Sequence, residues 1–316
     1  MKPEAWLDFE LRCLESRFDV DIESLRARVR ARPDDLRSRV RLATAMLYGR
    51  GAGVLAAAPH LEFIIRELPF LTLANAWELG RASNPLYRRF ATAWLRGVAS
   101  YRDNAAALHH AFLFFSAHEP RRAAGILARA TALDATIPAL YANGARFAVR
   151  FPTLVAGGRR EARALGQRAH GLAEARLTGL LGHISFAYWF AGDRREALEL
   201  SRRALEPGSF NVPEGVHLAE TVVGLSSLED DVACAVLSLR RSSVPSYGPF
   251  GPTLSLARKL LKRNQLKPVQ EFLESLIRTW EWDRDAYASS LCSIQTGAPP
   301  RLRALDQPLI DRRQRR

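Results

Sequence analysis

The sequence predicts an all-α chain, an α-solenoid of stacked helix-turn-helix hairpins, and three observations carry that reading. First, a small residue followed seven positions later by another that can pack closely recurs five times in arginine-studded segments. The pairs are Ala123 with Ala130, Ala162 with Ala169, Ala197 with Ala204, Ala233 with Arg240 and Val269 with Leu276, the last two degenerate. Their first members lie 39, 35, 36 and 36 residues apart, a period that belongs to helical-repeat arrays. Seven residues are almost two helical turns, so both members share a face, and alanine there lets a neighbouring helix come close. Second, upstream of the pairs lie segments with their own apolar period of three to four residues, set off by short polar breaks where a hairpin must turn. Third, a chain of 316 residues, 47% apolar and 25% charged, has globular proportions and a length that suits a repeat array or a two-domain protein better than one compact domain.

In chain order, Asp34-Asp35 can cap a helix carrying Leu36, Val40, Ala43 and Leu47. A turn over Gly49 to Gly53 precedes an apolar helix through Leu61, Ile64, Ile65 and Leu68, closed by Pro69. Residues 70–84 fit a helix or a loop equally well, and the next helix spans Pro85 to Ser100, with Tyr87, Phe90, Ala91, Trp94, Leu95 and Val98 inward. Phe114, Glu119, Ala123 and Ala130 place a hairpin on residues 104–135. Leu140, Gly144 and Phe147 with Ala162 and Ala169 place another, split by the insertion from Leu154 to Gly158. The clearest copy runs from Leu181 to Leu205: Leu181, Ile184, Tyr188 and Ala191 form one stripe, Gly192-Asp193 turns the chain, Ala197, Leu198, Ser201, Ala204 and Leu205 form the second, and Pro207-Gly208 stops it. In the last copy Leu256, Ala257 and Leu260 precede a turn at Asn264 and a helix through Phe272 and Leu276. The organisation expected is degenerate hairpins over residues 1–103, a regular array over 104–296 and a basic, disordered tail over 297–316.

These residues resemble the tetratricopeptide repeat, a helix-turn-helix unit of roughly 34 residues. With Ala197 at that motif's central alanine, Ile184 and Ser185 fall on its leucine and small-residue positions, Tyr188 on its tyrosine, Gly192-Asp193 on its turn and Ala204 on its second alanine. Leu181 stands where tryptophan is usual, and Pro207 closes the unit two residues early. The order of Arg32-Pro33-Asp34-Asp35-Leu36, the Leu61 to Pro69 helix, Trp94-Leu95-Arg96, and Gly248 to Pro252 leading into Leu256 to Leu261 is similar to a family of bacterial tetratricopeptide-like proteins of unassigned function. The resemblance implies a right-handed superhelix of roughly six or seven hairpins that acts as an interaction module. It brings no catalytic residue.

Nothing local points to chemistry. His109, His110, His118 and Glu119 form the one histidine cluster, but a zinc helix places two histidines four residues apart with a glutamate beside the first. Phosphate-loop, dinucleotide-binding and nucleophile-elbow motifs are absent, so no cofactor, metal or catalytic residue is expected. The prolines of Gly248-Pro249-Phe250-Gly251-Pro252 remove amide donors and favour a rigid connection over a phosphate cradle. Cys13, Cys234 and Cys292 lack paired spacing, and Glu4, Asp8, Glu10 and Glu15 stand where a secretory signal needs an apolar core. A cytoplasmic protein is therefore expected. The longest apolar stretches fall short of the roughly 20 residues a membrane span requires.

The formal net charge is +13, yet only four of the 46 basic residues are lysine, a skew that looks like the codon bias of a GC-rich genome. In stacked hairpins the first helices line the groove, which makes Phe112, Phe115, Phe186, Trp189 and Phe190 the candidate contacts for a protein or peptide partner. Arg312, Arg313, Arg315 and Arg316 are candidate contacts for an anionic one. The function expected is a non-catalytic scaffold or adaptor that binds a protein or peptide in its groove. The alternative is a basic α-solenoid binding RNA or DNA through its arginines. An uncapped terminal hairpin also leaves room for a homo-oligomer.

Overall fold

A computed structural model describes residues 3–17, 19–48, 53–75, 85–133, 135–172, 178–207, 212–244, 251–279, 284–298, 300 and 302. Among them the secondary structure is entirely helical, with sixteen α-helices, one 3-10 turn and no strand. The chain divides into two compact units, Met1–Ala135 and Thr136–Arg316.

The first unit holds α1 (Pro3–Glu15), α2 (Ile22–Ala31), α3 (Leu36–Tyr48), α4 (Gly53–Glu67), the 3-10 turn Thr72–Asn75, α5 (Tyr87–Ser100), α6 (Ala105–Ser116) and α7 (Pro120–Ala132). Local chemistry sets the starts. Asp21 accepts from the Glu23 and Ser24 amides at 3.0 and 3.2 Å, Asp35 from the Ser38 amide at 3.0 Å, and Asn104 from the Ala107 amide at 3.0 Å, each satisfying a donor that the first helical turn leaves open. The 3-10 turn falls in the stretch whose sequence fits helix or loop. Its Thr72 and Leu73 amides donate to the buried Glu10 carboxylate, the first at 3.0 Å, tying it to α1. Burial pushes the Glu10 carboxyl up while these amides pull it down.

The second unit alternates two sets of helices. The first helices are α8 (Pro138–Arg150), α10 (Thr178–Ala191), α12 (Pro213–Ser227) and α14 (Ser255–Lys262); the second helices are α9 (Arg159–Leu172), α11 (Arg194–Ala204), α13 (Val232–Arg241) and α15 (Leu266–Thr279), followed by α16 (Arg284–Gln295). Each first helix packs on its own second helix, and the first helices also pack in succession, α8 on α10, α10 on α12 and α12 on α14. This is the stacked-hairpin architecture of an α-solenoid. Ala162, Ala169, Ala197, Ala204, Val269 and Leu276 are fully buried, as their recurrence demands. The Ala233 and Arg240 pair is not: both are exposed, and the face that α13 turns inward carries Ala235, Ser238 and Leu239 instead. The functional pair there is Ala235 with Ser242, both fully buried and again seven apart. The two turns read from sequence carry the left-handed backbone that tight reversals need, Gly192 at φ 103° and Asn264 at φ 58°.

Helix α10 approaches α12 closely at Gly182, where a Cβ would lie 2.6 Å from the Gly215 carbonyl carbon and 2.8 Å from its Cα. Only two glycines allow α10 and α12 to touch backbone to backbone. Gly182→Ala is expected to destabilise the chain by about 1 to 3 kcal/mol, the cost of forcing atoms into a packed core. Gly125→Ala, exposed within α7 with open space around it, is expected to stabilise by up to about 1 kcal/mol. Urea unfolding midpoints of the two variants, which should move in opposite directions, measure both.

Candidate functional site

The second unit contains a cavity of about 210 Å³. Helix α8 contributes Arg146, Val149 and Arg150, spaced three and four residues apart on one face; α10 contributes Phe186 and Phe190, four apart; and Gly251, Pro252, Thr253, Ser255 and Arg258 close it from the start of α14. Phe186 and Phe190 form a tilted aromatic wall, with ring centroids 4.7 Å apart.

Arg146 fixes this geometry. It occupies a core position of α8 beside Ala142 and Ala145, and its side chain is 4% exposed. Its Nη1 donates to the Glu214 carboxylate, and its Nη2 donates to the Gly251 carbonyl at 2.6 Å. Glu214 stands in the first turn of α12, immediately after Pro213, where the positive end of the helix dipole favours a carboxylate. One arginine thus links α8, α12 and the segment entering α14. Burial pushes the Arg146 guanidinium down from its ordinary value, and the charge of Arg150 adds to that effect. His183 of α10 lies behind the pair, its Nε2 3.7 Å from Glu214, too far for a hydrogen bond.

His217 holds the opposite wall. Its Nδ1–H donates to the Ser242 carbonyl at 2.8 Å and its Nε2 accepts from the Thr253 amide at 2.8 Å. Both bonds require the neutral ring with its proton on Nδ1. Burial pushes the His217 pKa down to about 3, with the charge of Arg146 contributing against the opposing effect of Ser242. Burial and then Arg146 likewise push His183 down to about 3.

The candidate contacts separate into two groups. Phe112 and Phe115 are fully buried in the Met1–Ala135 unit: Phe112 stacks with His109, and Phe115 meets Phe114 edge-on and lies under Arg122. They belong to the core and not to an open groove, because α6 is buried on every side from Ala107 to Ser116. Phe186 is 5% exposed but faces the cavity. Trp189 and Phe190 are half-buried, packing on the core of α8 to α12 with one side open; Arg194 covers Trp189, its guanidinium 5.3 Å from the ring centroid. Arg312, Arg313, Arg315 and Arg316 lie outside the described residues. His109 and His110 are buried, the latter donating from Nδ1 to the Pro69 carbonyl at 3.0 Å, and His118 sits edge-on to Tyr87. Burial pushes these three down to about 3, 4 and 4. Among the described residues no three histidine, cysteine or acidic side chains are grouped to hold a metal ion, and no helix is long and apolar enough to cross a membrane.

Sequence reasoning missed Arg146, Glu214, Thr253, Ser255 and Arg258. A signal existed for the first alone, an arginine on the apolar stripe Ala142, Ala145 and Val149.

Glu214→Ala leaves the Arg146 charge buried and is expected to destabilise the chain by about 3 to 5 kcal/mol. The double variant with Arg146→Met is expected to recover much of that, and a double-mutant cycle in urea measures the coupling. The histidines predict an acid sensitivity. With the folded pKa of His217 and His183 about 3 against the ordinary 6.5, the unfolded chain binds more protons below pH 6.5. Stability should therefore be full above that value and fall as pH drops towards 3, by up to about 1.4 kcal/mol per pH unit for each histidine. Unfolding midpoints between neutral and mildly acidic pH should show this slope, and His217→Gln should reduce it. Compared with known proteins, the chain matches no family model and no curated sequence.

Proposed function

We propose that the chain is a non-catalytic scaffold, working in the cytoplasm, that holds a protein or peptide segment against the first helices of its Thr136–Arg316 unit. The observation that carries the reading is the origin of the cavity. Its described lining comes from α8, α10 and the residues that begin α14, with nothing from α9, α11, α13 or α15. First helices form the surface a ligand meets in stacked hairpins, and the likeness of the repeats to bacterial tetratricopeptide-like proteins points the same way. Trp189 and Phe190 sit at the end of α10 with one side open, rigid aromatic bodies of the kind that anchor recognition surfaces. The described lining includes neither a carboxylate nor a histidine; Glu214, His183 and His217 stand behind it. This arrangement supports binding over acid-base chemistry. The mechanism is preorganisation: the helices are already packed, so the ordering cost on binding falls mainly on a flexible partner.

Affinity capture from lysate of the source cell, with and without nuclease and with elution in salt steps, tests the reading. A stoichiometric protein is expected to survive nuclease and moderate salt. Trp189→Ala is expected to weaken its binding by about 2 kcal/mol or more while the circular dichroism stays that of a folded helical chain. Material that disappears with nuclease, or leaves at low salt, would instead assign RNA or DNA to the arginine-rich surface.

A further inference from the structure

We propose that the exposed flank of the second helices binds the sugar-phosphate backbone of a nucleic-acid duplex without reading its sequence, on a surface built from other helices than the cavity. The buried pairs seven residues apart give a register in which the hairpins can be compared. Besides Ala123 and Ala130, Ala162 and Ala169, Ala197 and Ala204, Ala235 and Ser242, and Val269 and Leu276, it includes Phe90 and Gly97 of α5, which packs on α4 as α7 packs on α6. Two residues before the first member of each pair stand Arg88, Arg121, Arg160, Arg195, Ala233 and Lys267. One residue before the second member stand Arg96, Arg129, Arg168, Arg203, Arg241 and Ser275.

At these two phases every basic residue is exposed, and no carboxylate occurs. A codon bias raises arginine over a whole surface; it does not confine it to two phases of a repeat. The helices carry little to neutralise it, since α5, α7 and α13 contain no acidic residue and α9 only Glu161. Arg168 lies over Tyr141, and Arg241 acts on Glu220. Among the described residues, Arg88, Arg121, Arg129, Arg160, Arg195 and Arg203 pair with no carboxylate and lie over no ring. A phosphodiester chain repeats its charge at fixed spacing, as these rungs do, whereas an acidic protein segment does not. The two rungs of one helix are eight residues, roughly 12 Å, apart along its axis, the scale of the groove between facing phosphates of a duplex. Guanidinium forks match phosphate. The exposed residues beside them, Thr92 and Leu95 on α5, Gly125 and Ala128 on α7 and Ala164 on α9, offer no ring on which an unpaired base stacks. Paired strands held by phosphate contacts alone are the fitting partner.

Fluorescence anisotropy of the purified full chain with short labelled duplexes, titrated over salt, tests this. Two DNA duplexes of unrelated sequence are expected to bind alike, and the matching single strand more weakly; the tighter of the DNA and RNA duplexes names the source. Each compact unit carries its own rungs, so the variants stay within one. Arg160→Gln, Arg195→Gln and Arg203→Gln together are expected to weaken both DNA duplexes by at least about tenfold at low salt and to lower the salt slope by about 0.9 per residue. Lys259→Gln, Lys262→Gln and Arg263→Gln together remove the same charge from the exposed end of α14 and should leave the slope unchanged. Unfolding midpoints confirm folding, and the same three arginines changed to lysine should keep the slope if the glutamine variant loses stability. Equal losses in the two glutamine triples, tighter binding of the single strand, displacement of the duplex by an equal charge of polyglutamate, or binding to phosphatidylserine vesicles alone would overturn the proposal. It stands apart from the scaffold reading: duplex binding should persist in Trp189→Ala, and a captured protein should persist in the arginine triple, so either can fail without the other.

Discussion

The second unit depends on one buried ion pair. Arg146 and Glu214 are 68 residues apart in sequence, on helices that each pack against α10. Removing two charges from water costs several kcal/mol per ion, so such a pair adds little net stability compared with apolar residues of the same volume. Its consequence is geometric. An unpaired guanidinium at that depth is far more costly than a paired one, so arrangements of α8 and α12 that separate the partners are strongly disfavoured. The second Arg146 bond, to the Gly251 carbonyl, extends the constraint to a stretch of chain that belongs to no helix. Pairing two helices and placing one wall of the cavity are thus the same event.

The neutral histidines complete that constraint. His217 links α12 to the end of α13 through Ser242 and to the α14 approach through Thr253, and its ring lies parallel to Phe272 of α15, with centroids 6.4 Å apart. A residue that accepts at one nitrogen and donates at the other can join two backbone segments of opposite need, which a lysine or arginine, lacking an acceptor, cannot do. The price is a ring that must stay uncharged next to Arg146. The pair and the histidine therefore work in one direction: burial first, and the charge of Arg146 after it, holds His217 in the neutral form its two bonds require.

The repeats were legible in sequence because they rest on local periodicity. Ala197 and Ala204, the turn at Gly192 and the turn at Asn264 all report short-range geometry, and each stands where the spacing places it. The Ala233 and Arg240 pair failed because a seven-residue spacing puts two residues on one face without saying which face packs inward, and on α13 the inward face carries Ala235, Ser238 and Leu239. Helix α2 was hard to see for a related reason, since only Leu25 and Val29 are buried among its charged residues. The groove aromatics divided on the character of their helices. Helix α6 is surrounded, so its aromatics are core, whereas the far end of α10 leaves one side of Trp189 and Phe190 open. The cavity itself was not legible. Its parts come from residues 146 to 258, and no local pattern announces that an arginine in one hairpin meets a glutamate two hairpins on.

The same long-range pairing changes how the net charge of +13 should be weighed. A large share of the arginines is engaged within the fold. Arg39 and Arg66 lie over Phe63, Arg168 over Tyr141 and Arg194 over Trp189, where the aromatic quadrupole attracts the cation and the flat guanidinium stacks. Others meet carboxylates, as Arg89 does Glu62, Arg163 does Asp193 and Arg240 does Glu271. Stacking and forked pairing are tasks that lysine performs poorly, so a compositional bias towards arginine has been absorbed into packing. Formal charge then overstates the field available to a distant polyanion, because a cation beside a carboxylate acts at range as a dipole. What matters for recognition is the local balance, and at Arg146 it is set by the Glu214 carboxylate that its guanidinium meets.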